Sequence, residues 1–212
     1  MEIEAKFRLP DTEDLEYIAQ NICLDGFTLS STTVDIVDDT YLDTSDRALF
    51  NAGYSFRYRS NDYGTLATLK QLAHSQNSVY KRTELEAYLP SGLQPLEWPA
   101  GPLRDLIIKH IDHKKLTRLF ELHQKRIKRM VLANEVPIAE LSLDKVQIRA
   151  DSGELEFFEL EIEVRGSGTE IELNTIIGQL KSRWSLHAEP FSKFDHGITL
   201  VNKLKIDGTH QK

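Results

Sequence analysis

Glu2-Ile3-Glu4-Ala5-Lys6-Phe7-Arg8-Leu9 changes between charged and apolar at every step. Successive side chains of a strand point to opposite faces. The run therefore sets Glu2, Glu4, Lys6 and Arg8 on one face and Ile3, Ala5, Phe7 and Leu9 on the other. The same alternation returns along the chain at Arg57 and Arg59, at Lys70, at Arg82, Glu84 and Glu86, and at Arg126 and Lys128. It continues at Glu140 and Asp144 and at Glu159, Glu161 and Glu163. A half-buried strand with a solvated outer face accounts for each run singly. The set as a whole also fits a barrel turned inside out, apolar outside beneath helices and charged within. Alternation leaves open which face is inside.

Between these runs, Pro10 and Asp11 open a helix whose Leu15, Ile18, Ala19, Ile22 and Cys23 follow helical spacing, with Gly26 as its stop. Cys23 is expected in the core. Strands are expected near 32–42, 53–60, 65–72 and 79–89. A loop with Pro90, Gly92, Pro95, Pro99, Gly101 and Pro102 follows, then a short helix over 103–112. Further strands are expected near 117–133, 138–149 and 155–165. Two apolar stripes predict C-terminal helices: Leu173, Ile176, Ile177, Leu180 and Trp184, then Phe194, Ile198, Val201 and Leu204. Trp98 and Trp184 read as packing residues. His110-Ile111-Asp112-His113 has metal-like spacing but lies at the short helix, away from the charged strands, and is read as structural or solvent-facing. With about eight strands joined mostly by short turns, the expected fold is α+β: a closed antiparallel β-barrel with helices packed outside.

The 212 residues, 40% hydrophobic and 28% charged, suffice for one core, taken here as a single domain over 1–206 with a polar tail at 207–212. No apolar run reaches the roughly 18 residues of a membrane span, and the N-terminal segment is unlike a signal peptide. The lone Cys23 forms no internal disulfide, and a cytoplasmic location is expected. A net charge of −7 argues against a nucleic-acid partner. No membrane partner is expected, and the state is monomer or homodimer.

The signs of the charges separate by strand. Residues 2–4, 140–144 and 159–163 supply carboxylates, whereas 57–59, 70, 82 and 126–128 supply cations. Such a lumen suits a polyanion carrying hard metal ions, because magnesium and manganese prefer oxygen ligands and Arg and Lys grip phosphoryl oxygens. Ser192 reads as an N-cap, which puts Lys193 in a first helical turn where a cation opposes the helix dipole. Anion binding there and simple solvation both remain open.

Glu2-Ile3-Glu4-Ala5-Lys6 resembles the ExExK signature of the CYTH, or triphosphate tunnel, superfamily. Its later motifs follow in order: Tyr41-Leu42-Asp43-Thr44, Phe56-Arg57-Tyr58-Arg59, Thr68-Leu69-Lys70 and Arg82-Thr83-Glu84-Leu85-Glu86. Lys125-Arg126, Leu143-Asp144, Glu159-Leu160-Glu161 and Ser192-Lys193-Phe194 complete the set. The resemblance implies a closed eight-stranded antiparallel β-barrel forming a tunnel, with Mg2+- or Mn2+-dependent chemistry on a triphosphate-containing small molecule. It implies that Glu2, Glu4, Glu159 and Glu161 hold metal, with Asp144 as an additional ligand or its support. Lys6, Arg57, Arg59, Lys70, Arg82, Arg126 and Lys193 would bind phosphates, and Glu84, Glu86 and Glu163 would orient these basic residues or help hold a second metal. Glu2, Glu4 and Lys6 are the expected catalytic group. The expected activity is hydrolysis of inorganic triphosphate, with nucleoside or thiamine triphosphates as further substrates. The alternatives are a class IV adenylate cyclase, forming cyclic AMP and diphosphate from ATP, and a non-catalytic polyphosphate-binding module.

Overall fold

The computed structural model describes residues 2–61, 64–72, 79–89 and 94–207. In chain order the elements are β1 (Glu2–Leu9), α1 (Thr12–Asn21), β2 (Thr28–Leu29), β3 (Thr33–Asp43), α2 (Ala48–Asn51), β4 (Tyr54–Asn61) and β5 (Gly64–Gln71). Next come β6 (Val79–Arg82), β7 (Glu84–Leu89), α3 (Pro102–Ile111), β8 (Thr117–Ala133), β9 (Val136–Ala150) and β10 (Gly153–Val164). The chain continues with α4 (Glu170–Arg183), β11 (His187–Ala188) and α5 (Lys193–Asp207). The expected Pro-rich loop contains a single 3-10 turn at Pro95–Glu97. Pro90, Gly92 and residues 208–212 lie outside the described residues, as does the side chain of Leu204.

All pairings are antiparallel, in the order β11-β1-β10-β9-β8-β3-β4-β5-β7, with β2 added to β8 and β6 to β1. Only Thr83 separates β6 from β7, and its carbonyl accepts from Gln71 N at 3.0 Å. β6 pairs with β1, opposing Arg82 to Glu2, while β7 pairs with β5, opposing Glu84 to Lys70. One interrupted strand therefore joins the two ends of the curled sheet. That seam is looser than the continuous eight-stranded wall that was expected.

Helices cover the outside. α1 and α4 press Leu15, Ile18, Leu173, Ile176 and Leu180 onto Phe7, Leu141, Leu143, Leu160 and Ile162, all buried. α3 lays Leu103, Ile107 and Ile111 on Phe56, Leu69 and Trp98. Full burial of each such side chain contributes about 1.5–3 kcal/mol. The alternation is thereby resolved: apolar faces point out under helices, and charged faces point in.

One end of the interior is apolar and is filled by α5. Phe194, Ile198 and Leu200 pack among Phe120, Leu122, Val146, Ile148 and Phe157. The Tyr41 ring stacks on Phe120 at 4.6 Å. Ser192 caps this helix as expected: its hydroxyl accepts from Asp195 N, and the Asp195 carboxylate accepts from Ser192 N at 2.8 Å. Among the described residues no helix is long and apolar enough to cross a membrane.

Cys23 departs from its expected place. α1 ends at Asn21 and the chain becomes extended, so Ile22 and Leu24 are buried while Cys23, between them, is exposed. Gly26, expected as the helix stop, instead serves the following turn with a φ of 80°. Trp98 is packed against Phe56 and Tyr58, and Trp184 packs against the α1–α4 cluster. His110 ends α3 beside Tyr54, while Asp112 and His113 are exposed, in keeping with the bland reading of that tetrapeptide.

Candidate active site

The inward positions of the strands meet around a cavity of about 260 Å3. Glu2, Glu4, Lys6, Arg57, Arg59, Lys70, Arg82, Glu84, Glu86, Arg126, Glu161, Glu163 and Lys193 line it. Register puts them there. Lys6 opposes Glu161, Glu4 opposes Glu163, Asp144 opposes Glu159 on one side and Arg126 on the other, and Arg59 opposes Asp39. The acidic strands β1, β10 and β9 are contiguous, with basic β8 directly beside β9 and basic β4 and β5 farther round the wall. Cations and carboxylates therefore meet where these groups of strands adjoin, as at Arg126 and Asp144.

At their tips the side chains interdigitate. Lys70 Nζ donates to Glu2 at 2.8 Å and Arg82 Nε to Glu2 at 2.7 Å, while Arg82 also contacts Glu4. Lys6 lies 3.3 Å from Glu4 and 2.9 Å from Glu161. Arg126 forms a fork on Asp144 at 2.8 and 2.6 Å and reaches Glu161. Lys193, projecting from the first turn of α5, meets Asp144 and Glu161 at 3.0 Å each and also contacts Glu159. The lysine at that helix start therefore faces buried carboxylates rather than solvent.

These pairings set the ionisation of the site. Burial pushes the Glu2 carboxyl up, but Lys70 and Arg82 together outweigh it and hold the group down at about 2. Burial lifts Glu159 to about 7, because the neighbouring Glu161 and Asp144 offset much of the help from Lys193 and Lys6. Burial likewise carries Glu163 to about 7 against the pull of Arg165. Burial would lower Lys6 and Lys193, yet the carboxylates around them raise both above the ordinary lysine range. Neighbouring carboxylates likewise raise Arg57, Arg82 and Arg126 above the ordinary arginine range, against burial.

Asp144, Glu159 and Glu161 bring carboxylate oxygens within 4.8 Å of one another, all three buried. Glu159 Oε2 has no hydrogen-bond partner. Three converging hard oxygen donors, one of them unsatisfied, fit a magnesium- or manganese-like ion. Glu2 and Glu4 lie on the neighbouring strand, tied to Arg82, so the five expected ligands divide into a carboxylate triad and an Arg82-bridged pair.

Lys128 and Glu140 fall outside this cavity: Lys128 pairs with Asp35 at 2.5 Å, and Glu140 lies 3.6 Å from Arg165. Sequence reasoning missed Asp39, which is 2% exposed and accepts from Arg57 at 2.9 Å and from Arg59 at 2.7 and 2.8 Å. Its place is on the same strand face as Tyr41, which follows two residues on. It also missed Glu189, which receives Arg8 at 3.2 Å, and Gln124, Tyr41 and Ser55 on the cavity wall. The Asp43-Thr44 pair has a structural role. Asp43 accepts from the backbone N–H groups of Thr44, Leu49 and Phe50 at 2.7–2.9 Å, fixing the turn from β3 into α2.

A family model described as the CYTH domain matches residues 1–192. The chain belongs to the CYTH family. Solved CYTH-like structures share the fold. A candidate adenylyl cyclase from Hippeastrum, with a dominant triphosphatase activity, superposes with a TM-score of 0.64 at 17% identity, over 92% of this chain and 93% of that one. A candidate adenylate cyclase from Bacillus halodurans gives 0.58 at 20% identity, over 91% and 94%. The Mimivirus capping enzyme triphosphatase gives 0.51 at 11% identity, over 85% and 88%. No curated protein matches the sequence.

Proposed function

We propose that this CYTH protein is a divalent-metal-dependent triphosphatase that hydrolyses inorganic triphosphate to diphosphate and phosphate. The observation that carries the reading is the convergence of Lys6, Arg57, Arg59, Lys70, Arg82, Arg126 and Lys193 on one small cavity beside a buried carboxylate triad. The cavity of about 260 Å3 is lined mostly by charged groups, which suits a compact polyanion. The triphosphatase activities named for the Hippeastrum and Mimivirus proteins are consistent with it.

In this reading Asp144, Glu159 and Glu161 hold the metal, with Glu2 and Glu4 as the second carboxylate group. A bound divalent ion supplies charge neutralisation on phosphoryl oxygens and acidifies a bound water. The rest is the work of the protein's own groups. Lys6, Arg82 and Lys70 donate to the phosphoryl chain from one side, Arg57, Arg59 and Arg126 from the other. Asp39 keeps Arg57 and Arg59 aimed inward, with Arg57 Nε left unpartnered. Donors fixed before the substrate arrives stabilise charge as it moves to the leaving diphosphate, without reorganising at the moment of reaction. Glu84, Glu86 and Glu163 hold the wall around these cations: Glu84 meets Lys70 at 3.1 Å and Glu86 accepts from Thr68 at 2.9 Å.

The test is product analysis with inorganic triphosphate, ATP and thiamine triphosphate, each with magnesium and with manganese. Phosphate release from inorganic triphosphate, reduced at least about 100-fold by Glu4→Gln, is the expected result. Cyclic AMP and diphosphate from ATP would replace the reading with the cyclase. Tight triphosphate binding without turnover would leave a binding module.

A further inference from the structure

On the inward face of β8, the residue before the charged zone is an amide. Gln124 is 1% exposed and borders the cavity beside Arg126, Ser192 and Phe194. Its neighbours across both ladders are Val37 and Val146, which offer no polar atom. Neither Nε2 nor Oε1 has a hydrogen-bond partner. Buried amides are normally satisfied, since a donor and an acceptor stripped of water are costly to keep. Arg57, another residue lining the cavity, has a buried Nε that is likewise unpartnered. Unpartnered donors on two strands of the wall call for an acceptor-rich ligand between them, and Oε1 calls for a proton donor at the same place.

We infer that Gln124 contacts the substrate and sets specificity: its amide N–H donates to an oxygen of the innermost phosphoryl group, and its carbonyl accepts from a water or P–OH there. The inference deepens the triphosphatase reading and rests on it. Position supports the assignment. Gln124 stands where the ionic wall gives way to the apolar end filled by α5, so a phosphate chain inserted into the cavity meets the amide with its leading end. A neutral group there leaves the charge balance of the wall unchanged. It rewards a ligand that presents both an acceptor and a donor, which the guanidinium and ammonium groups, being donors only, do not distinguish.

The test is Gln124→Met, nearly the same shape without the amide, with Gln124→Leu as a second apolar variant. Binding of imidotriphosphate with magnesium is measured by calorimetry, thermal unfolding is followed without ligand, and kcat and KM are measured on inorganic triphosphate. Dissociation constants about tenfold or more above wild type, with a Tm equal to or higher than wild type, are expected. A purely structural amide would lower Tm instead. Unchanged binding and kinetics in folded variants would overturn the role of Gln124 and leave the triphosphatase reading standing. Loss of folding in both variants would make the residue structural and overturn the role as well. A wild-type protein that neither binds imidotriphosphate nor hydrolyses triphosphate would overturn the functional reading and this inference together.

Discussion

Asp39 shows how much of the site depends on a group outside the lining of its cavity. Its two oxygens take three hydrogen bonds from Arg57 and Arg59, and those arginines hold its carboxyl below the ordinary aspartate range although burial pushes the other way. Asp39→Asn removes the charge and keeps the shape. Breaking a buried ion pair on one side costs about 3–5 kcal/mol, since the partner charge stays buried alone. We expect a lower Tm by calorimetry and kcat/KM on triphosphate reduced about 100-fold, the scale of losing a fixed donor. Glu163 gives a pH signature. Below about 4.5 its carboxyl is protonated folded and unfolded. Between there and about 7 the unfolded chain ionises while the folded group keeps its proton, so stability falls as pH rises through that window. Glu163→Gln should remove this contribution, up to about 3 kcal/mol of unfolding free energy between pH 4.5 and 7; an unchanged pH dependence of stability would contradict it. Arg57, Arg59 and Glu161 were legible because their charges repeat at period two within charged motifs. Asp39 follows Asp35 and Asp38 on a strand whose charges fall on both faces, and Gln124 carries no charge, so period two singled out neither.

At the level of elements, strand and helix positions were readable because charged and apolar residues switch at period two in the strands and near period 3.6 in the helices. Three features were not. The break at Thr83 depends on which neighbour each half of the strand pairs with, and no local pattern encodes that. α2 is four residues long and is fixed by Asp43 from outside. β11 is two residues paired to β1, defined by its partner alone. The apolar stripe of α5 was plain, but the stripe does not tell that the helix enters the barrel rather than lying on it. Gly197 records that close approach: a Cβ there would stand 2.1 Å from Phe120 Cζ. Gly197→Val should push α5 outward, with a cost of about 1–3 kcal/mol from overpacking. Lys193, four residues earlier on the same helix, would move with it. We expect a lower Tm together with reduced turnover. Phe120→Leu in the same chain should recover part of both, the coupling expected of neighbours that share one space.

Across the whole molecule, the barrel gathers opposite charges in one part of its interior, packs apolar residues around α5 at the other end and lays further apolar residues under the helices outside. Buried charges are tolerated only when paired, and here almost every cation of the lumen rests against a carboxylate. Under the proposed function, a triphosphate would offer these cations phosphoryl oxygens in place of carboxylates, and the released carboxylates would be the groups that hold a metal. Lys193 is the joint of this exchange, because its ammonium touches all three members of the buried triad. Lys193→Met leaves Asp144, Glu159 and Glu161 with Lys6 and Arg126 but without the cation that meets all three. Without added metal the variant should be less stable than wild type by about 3–5 kcal/mol. Magnesium should then raise its Tm by several degrees more than it raises that of wild type, because a cation bound only by the folded state stabilises that state by mass action. Equal responses to magnesium in the two proteins would mean that the triad is satisfied without a metal. A larger response in the variant would identify Asp144, Glu159 and Glu161 as a cation site by a measurement that requires no turnover.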